Sequence, residues 1–249
     1  MADAIFEDPR LAQVYDPLDP DRSDLDVYAA LVDELAIRSV LDIGCGTGTF
    51  ACMLATRGID VIAVDPAAAS LEVARSKPGA ERVRWLHGDA TMLPPVEVDA
   101  AFMTGNVAQV FLTDTDWTAT LRACRRAVRP GGWLVFETRD PARRAWEGLT
   151  PELTRTVVKV SGVGEVESWA ELTEMAGQLV TFRSTIAFRR DDIVLESVST
   201  LRFRNRPEVE ASLVTEGFEV ADVRDAPDRP GLEFVFLARR PHKVIPTTN

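Results

Sequence analysis

Val40-Leu41-Asp42-Ile43-Gly44-Cys45-Gly46-Thr47-Gly48 decides the fold. A mostly apolar run ends in three glycines within five positions, and an amphipathic stretch, Phe50 to Arg57, follows at once. That is a strand turning sharply into a helix. Glycine permits positive φ and lets a ligand approach the backbone, but it weakens both flanking elements unless the space is needed. The helix N-terminus adds free N–H groups and a positive dipole end, which suit a carboxylate as well as a phosphate. A dinucleotide fingerprint needs its third glycine at position 49, which is Thr49, and Asp42 fits poorly beside a pyrophosphate.

Working outward, residues 39 to 138 alternate apolar runs with amphipathic stretches. The strand-like runs are Ser39 to Ile43, Ile59 to Val64, Val83 to Leu86, Val98 to Met103 and Trp133 to Thr138. Helical stretches fall at Phe50 to Arg57, stopped by Gly58, at Ala67 to Ser76 and at Asp116 to Val128. Upstream, Asp24 is placed to cap a helix carrying Val27, Leu31 and Leu35 on one face. Asp114 and Asp116 read as cap candidates for the third helix. Such alternation predicts a parallel sheet covered on both faces.

The pattern changes after Pro141. Val166 to Thr173, Leu179 to Phe188 and Ile193 to Phe203 read as β segments, separated by polar turns at Ala176-Gly177 and Arg190-Asp191-Asp192. Links this short predict antiparallel hairpins. A helix, Pro207 to Glu216 with Gly217 as its stop, and two strands, Val220 to Val223 and Glu233 to Ala238, complete the chain. From Pro241 the tail reads as mobile, and His242 within it as irrelevant.

Composition bounds the rest. The 249 residues are 46% hydrophobic and 27% charged, ordinary for a globular protein, so a core of useful size is available. A net charge of −11 repels nucleic acid and anionic membranes, and neither is an expected partner. Cys45, Cys52 and Cys124 make an odd count with no paired spacing, so neither a disulfide framework nor a zinc site is expected, and a reducing cytoplasm is. MADAIFEDPR lacks the apolar centre of a signal peptide, and no apolar run reaches the ~18 residues of a membrane span.

VLDIGCGTGTF resembles motif I of the class I S-adenosylmethionine (SAM)-dependent methyltransferases. The similarity continues through VIAVDPAAASLEVAR, HGDATMLP, VDAAFMTGNVAQVF and RAVRPGGWLVFETRDP, covering residues 25 to 140 well and Pro207 to Arg239 more loosely. The resemblance implies a doubly wound α/β sheet of seven strands in the order 3-2-1-4-5-7-6, strand 7 antiparallel. The core is then residues 1–141 and 206–240, with 142–205 an inserted antiparallel β cap. SAM would be the cofactor, S-adenosylhomocysteine its product, and a small molecule the acceptor, with O or N its favoured methylated atom. A homodimer through the insertion is also expected.

The resemblance also assigns residues. Gly44, Cys45 and Gly46 line the methionine part of SAM, and Asp42 beneath the turn reaches its amino group. Asp65 accepts the ribose hydroxyls, Pro66 packs near the adenine, and Asp89 with Ala90 recognises the adenine amino group. Thr104, Gly105 and Asn106 meet the methyl donor, Gln109 faces the pocket one turn on, and Tyr15 closes over the cofactor. A turn-stabilising Asp42, a loop-capping Asp89 and a surface Tyr15 are the plainer alternatives. Thr104-Gly105-Asn106-Val107 departs from the Asn/Asp-Pro-Pro-Tyr/Phe pattern of nucleobase amino-methylation.

Methyl transfer is an in-line displacement from an already activated sulfonium, so the protein mainly aligns the partners and excludes water. A base is needed only when the acceptor must lose a proton early. Glu137 and Asp140 are the candidates for taking a proton, and Arg139 for holding an anionic acceptor. Each also reads as an ordinary loop or core-edge contact. Trp146 and Trp169 either wall the acceptor pocket or pack the insertion, and His87 reads as structural. A non-catalytic SAM-binding scaffold and a nicotinamide-dependent dehydrogenase are the competing functions.

Overall fold

The computed structural model describes residues 2–242. Helices α1 (Ala4–Glu7), α2 (Pro9–Leu18) and α3 (Asp24–Glu34) precede strand β1 (Ser39–Ile43). The core continues as α4 (Thr49–Thr56), β2 (Asp60–Asp65), α5 (Ala68–Arg75), β3 (Val83–His87), β4 (Val98–Met103), α6 (Asp114–Ala127) and β5 (Val128–Arg139). A short α7 (Pro151–Thr154) leads into β6 (Thr156–Val160), β7 (Gly164–Ala176), β8 (Leu179–Phe188) and β9 (Ile193–Arg202). Helix α8 (Arg206–Thr215), β10 (Glu219–Asp225) and β11 (Glu233–Arg239) return to the core.

The main sheet runs β10-β11-β5-β4-β1-β2-β3, which in core numbering is the expected 3-2-1-4-5-7-6. β1 pairs in parallel with β2 and β4, β4 with β5, and β2 with β3. β11 lies antiparallel to both β5 and β10. Alternate residues of each strand feed two cores. Val40, Phe102 and Val135 meet α3 and α4 through Leu31, Phe50 and Leu54. Leu41, Met103 and Phe136 meet α6 and α8 through Leu121 and Leu213. Phe136 and Phe236 stack across β5 and β11 with centroids 5.1 Å apart. The chain reverses its direction of travel between β1 and β4, so a crevice opens at the carboxyl ends of these strands.

Residues 156–202 form a second, four-stranded antiparallel sheet, β6-β7-β8-β9. β6 was not anticipated: the five residues Thr156–Val160 have no turn signal of their own and are a strand because they pair with Gly164–Ser168. One face buries Val166, Ile186 and Phe188 against Leu11 and Val14 of α2. The opposite face is charged: Glu167 pairs with Arg155 and Arg189, and Arg183 with Glu171 at 2.9 Å.

Several local expectations need correction. Asp24 opens α3 rather than capping it; the preceding residue is Ser23, and the buried face is Leu25, Tyr28, Leu31 and Val32. Thr113, not Asp114 or Asp116, caps α6, its hydroxyl accepting the Asp116 N–H at 3.1 Å. β5 begins at Val128, because Val128 pairs with Val98 ahead of the Gly131-Gly132 irregularity. His242 is not idle: its ring stands where a Cβ on Gly131 would be, 2.4 Å away. The rest of the tail expected to be mobile lies outside the described residues.

Candidate active site

The glycine turn joins β1 to α4 with Gly44, Gly46 and Gly48 all at positive φ, +69°, +52° and +77°. Each glycine has a different reason. A Cβ on Gly44 would meet Val107 Cγ2 at 2.6 Å, and one on Gly48 would meet Trp85 at 2.5 Å. A Cβ on Gly46 would meet no atom of the described residues within 4 Å, so this residue faces open space among them. The turn is fastened to the end of β2: Gly44 N–H donates to the Val64 carbonyl at 2.9 Å, and Gly46 N–H to Asp65 Oδ2 at 2.8 Å. Asp65 Oδ1 accepts Ala67 N–H at 2.8 Å. This buried carboxylate therefore ties the glycine turn to α5, with a lone pair remaining on each oxygen. Burial raises its pKa, and the two backbone donors work against that.

Asp42 is 1% exposed, and neither of its oxygens has a hydrogen-bond partner among the described residues. Burial, with the Asp65 charge adding to it, pushes its carboxyl up to about 7. Cys45 sits in the turn with its thiol raised well above normal by burial, which disfavours the thiolate that a nucleophile needs. Pro66 is exposed, and its carbonyl meets His87 Nε2 at 3.0 Å, so the histidine braces the β2–β3 edge. Asp89 is exposed and turns its Oδ1 to the Thr91 N–H at 2.7 Å, capping the helical turn that buries Ala90; its other oxygen is uncommitted there.

After β4, Gly105 and Asn106 both take left-handed conformations, φ +71° and +64°. Asn106 N–H donates to Glu137 Oε1 at 2.6 Å, and Thr104 is half-buried beside them. Gln109 is fully buried; its carbonyl oxygen accepts the Arg139 N–H at 3.3 Å. Seven buried side-chain polar atoms lack a hydrogen-bond partner among the described residues, and five belong to Asp42, Asn106, Gln109 and Glu137. Buried polar groups are nearly always satisfied, so this concentration sets the carboxyl ends of β1, β4 and β5 apart from the rest of the core.

Glu137 is 3% exposed, and burial pushes it up to about 7 against the opposing effect of the Tyr28 hydroxyl and the Asn106 N–H. Arg139 has its charge met by Glu233 at 3.4 Å. Asp140 caps the turn that follows, accepting Ala142 N–H at 2.9 Å. Trp146 is buried edge-on against Phe203, 4.9 Å between centroids, with its N–H unpartnered among the described residues. Trp169 instead lies under Arg155, 5.2 Å from its guanidinium, and is adjacent in the strand to Ser168 and Ala170, which point to the other face.

Tyr15 lies on α2, tilted against Phe6 at 5.4 Å, its hydroxyl pKa raised by burial. What holds α2 in place was not foreseen. Asp16 Oδ1 accepts the Thr47 hydroxyl at 2.6 Å, and Asp16 Oδ2 pairs with Lys77 at 2.6 Å. Glu7 accepts the Ala68 N–H at 2.9 Å, and the Ser70 hydroxyl donates to the Phe6 carbonyl at 2.8 Å. These partners lie 31 to 64 residues apart, beyond any local sequence signal. A groove of about 520 Å³ between Asp16, Pro20, Met53 and Lys77 flanks α4 and includes none of the cofactor residues expected from sequence.

Residues 40–132 match the family described as a methyltransferase domain. A malonyl-(acyl-carrier protein) O-methyltransferase of Serratia marcescens is 33% identical over 172 residues, 68% of this chain and 58% of that one. The chain spans between about a quarter and three-fifths of the length of the first curated relatives it matches. A SAM-dependent methyltransferase from Clostridium acetobutylicum superposes with a TM-score of 0.73 at 18% identity, over 93% of this chain and 98% of that one. A SAM-bound amino pentose methyltransferase from Micromonospora echinaspora gives 0.68 at 23%, over 92% and 97%. At these identities the structural likeness is one of fold. The core of the chain is a methyltransferase domain. It belongs to the class I methyltransferase family.

Proposed function

We propose that the chain is a SAM-dependent methyltransferase acting on a small-molecule acceptor. The observation that carries this reading is the set of orphaned buried polar atoms on Asp42, Asn106, Gln109 and Glu137, beside a glycine turn whose Gly46 faces open space. The residues present fit SAM. Gly44, Cys45 and Gly46 receive its methionine part and Asp42 its amino group. The remaining lone pairs of Asp65 accept the ribose hydroxyls, Pro66 packs near the adenine, and Asp89 with Ala90 receives the adenine amino group. Thr104, Gly105, Asn106 and Gln109 border the methyl donor, and Tyr15 on α2 covers it.

Bound SAM supplies an activated methyl group; the chain's own residues bind, orient and exclude water. Asp140 and Arg139 have local partners, so alignment rather than proton removal is the main contribution of the β5 end. Residues 142–205 act as the cap that selects the acceptor, and β6 and β9, the outer strands of its sheet, offer pairing to a second copy. No helix among the described residues is long and apolar enough to cross a membrane. The three free cysteines fit a cytoplasmic setting.

Calorimetry with SAM and S-adenosylhomocysteine tests the cofactor, and conversion of SAM to S-adenosylhomocysteine across a metabolite panel tests the activity. Absence of binding overturns the reading; binding without turnover on any acceptor favours a non-catalytic SAM-binding protein. Replacing 142–205 by a short linker is expected to abolish turnover and keep SAM binding. That variant must also replace Leu11 and Val14, which the cap sheet covers, with polar residues.

A further inference from the structure

Glu137 stands in an unusual position for a strand residue: a buried carboxylate whose first hydrogen-bond partner is a loop N–H from another strand's end. That loop is held in two successive left-handed residues, Gly105 and Asn106, the latter of the residue type that, after glycine, best tolerates this conformation. The 2.6 Å bond from Asn106 N–H to Glu137 Oε1 fastens it to the end of β5. The next residue, Val107, sets its side chain in the space that a Cβ on Gly44 would fill, with Cγ2 at 2.6 Å and Cγ1 at 2.8 Å from that point. A continuous mechanical path therefore runs from the β5 carboxylate through Asn106 and Val107 to the glycine turn.

We infer that Glu137 is a positioning residue: by holding the Asn106 N–H it seats Val107 against Gly44 and so fixes the shape of the turn that receives the cofactor. This replaces the role of proton acceptor considered from sequence, and it rests on the reading of the glycine turn as a SAM site. The groups facing Glu137 are few. Tyr28 approaches from α3, Glu233 from β11, and Arg139 shares its strand. The Asn106 N–H and the Tyr28 hydroxyl favour the ionised carboxylate, whereas burial and Glu233 disfavour it. With its carboxyl pushed up to about 7, the strength of the hold depends on pH near neutrality. An ionised acceptor makes the stronger bond.

The test uses the full chain, with SAM and S-adenosylhomocysteine as separate probes, titrated by calorimetry between about pH 5.5 and 8. S-adenosylhomocysteine lacks the sulfonium charge, so it separates positioning from direct charge attraction. Glu137→Gln is expected to weaken both ligands about equally, by roughly tenfold at pH 8, the scale of one charge-assisted bond. In wild type, affinity rises with pH; in Glu137→Gln the rise is smaller, with Asp42 supplying what remains. Val107→Ala leaves the carboxylate untouched and is expected to weaken both ligands while keeping the wild-type pH dependence. It decides the matter if Glu137→Gln fails to fold. Wild-type affinity in both variants, or a loss confined to SAM in Glu137→Gln, overturns the positioning role. A wild-type protein that binds neither ligand overturns the cofactor reading itself and the positioning role with it.

Discussion

Asp16 grips the glycine turn from outside, one carboxylate oxygen accepting the Thr47 hydroxyl at 2.6 Å while the other pairs with Lys77. Helix α2 thereby closes over the turn through a side chain of its own whose partners lie 31 and more residues away. Asp16→Ala removes both attachments. Hydrogen exchange over residues 9–18 is expected to accelerate, and SAM affinity to fall by about 1–2 kcal/mol, the scale of a lost hydrogen bond to a charged group. Unchanged exchange in that segment would show that α2 is held by its packing on the second sheet alone.

Gly44 and Gly46 separate two kinds of constraint. Alanine at either position incurs a left-handed backbone penalty of about 1–2 kcal/mol. At position 44 the new methyl also displaces Val107; at position 46 it meets no atom of the described residues. Gly44→Ala is therefore expected to lower the melting temperature more than Gly46→Ala, while both lose SAM affinity. Equal melting temperatures, measured by calorimetry without ligand, would mean that Val107 moves aside at no cost.

Asp65→Ala is expected to weaken SAM by roughly 2–4 kcal/mol, through loss of a carboxylate shared by two ribose hydroxyls. The two backbone N–H groups that Asp65 accepts add a second effect, a lower thermal stability without ligand. Asp65→Asn keeps one acceptor oxygen and should fall between. Unaltered affinity in the alanine variant places the ribose elsewhere.

The ligand-free protein should lose stability as pH rises toward 7. Asp42 and Glu137 have carboxyls raised to about 7 by burial, against about 4 in an unfolded chain. Between those values the folded state holds more protons than the unfolded one, so its stability falls as pH rises through the folded pKa and levels off above it. The melting temperature at pH 8 is expected to be at least about 2 °C below that at pH 6. In Asp42→Asn the difference should shrink. A melting temperature that rises across this interval contradicts the assignment.

The main sheet was legible because each of its strands is bounded by its own punctuation, from Gly44 after β1 to Gly88 after β3, and because the family resemblance supplied their order. The hairpin turns at Gly177 and Asp192 were legible for the same local reason. Elements that exist only through distant partners were not. α2 is short, begins with one proline and contains another, and acquires a buried face from Val166 and Phe188, more than a hundred residues away. The site divides along the same line. Glycines and acidic residues at strand ends announce themselves, whereas Tyr28, Val107 and Asp16 become meaningful only beside Glu137, Gly44 and Thr47.

Helix α2 touches both halves of the molecule, Leu11 and Val14 against the second sheet and Asp16 against the glycine turn. Ten residues are thus shared between the surface expected to choose the acceptor and the surface expected to take the donor. Ordering that helix at one end reduces the conformational entropy left to lose at the other, and such a linkage is reciprocal. Donor and acceptor are then each expected to bind more tightly in the presence of the other, by the same factor, which calorimetry with either one already bound would read.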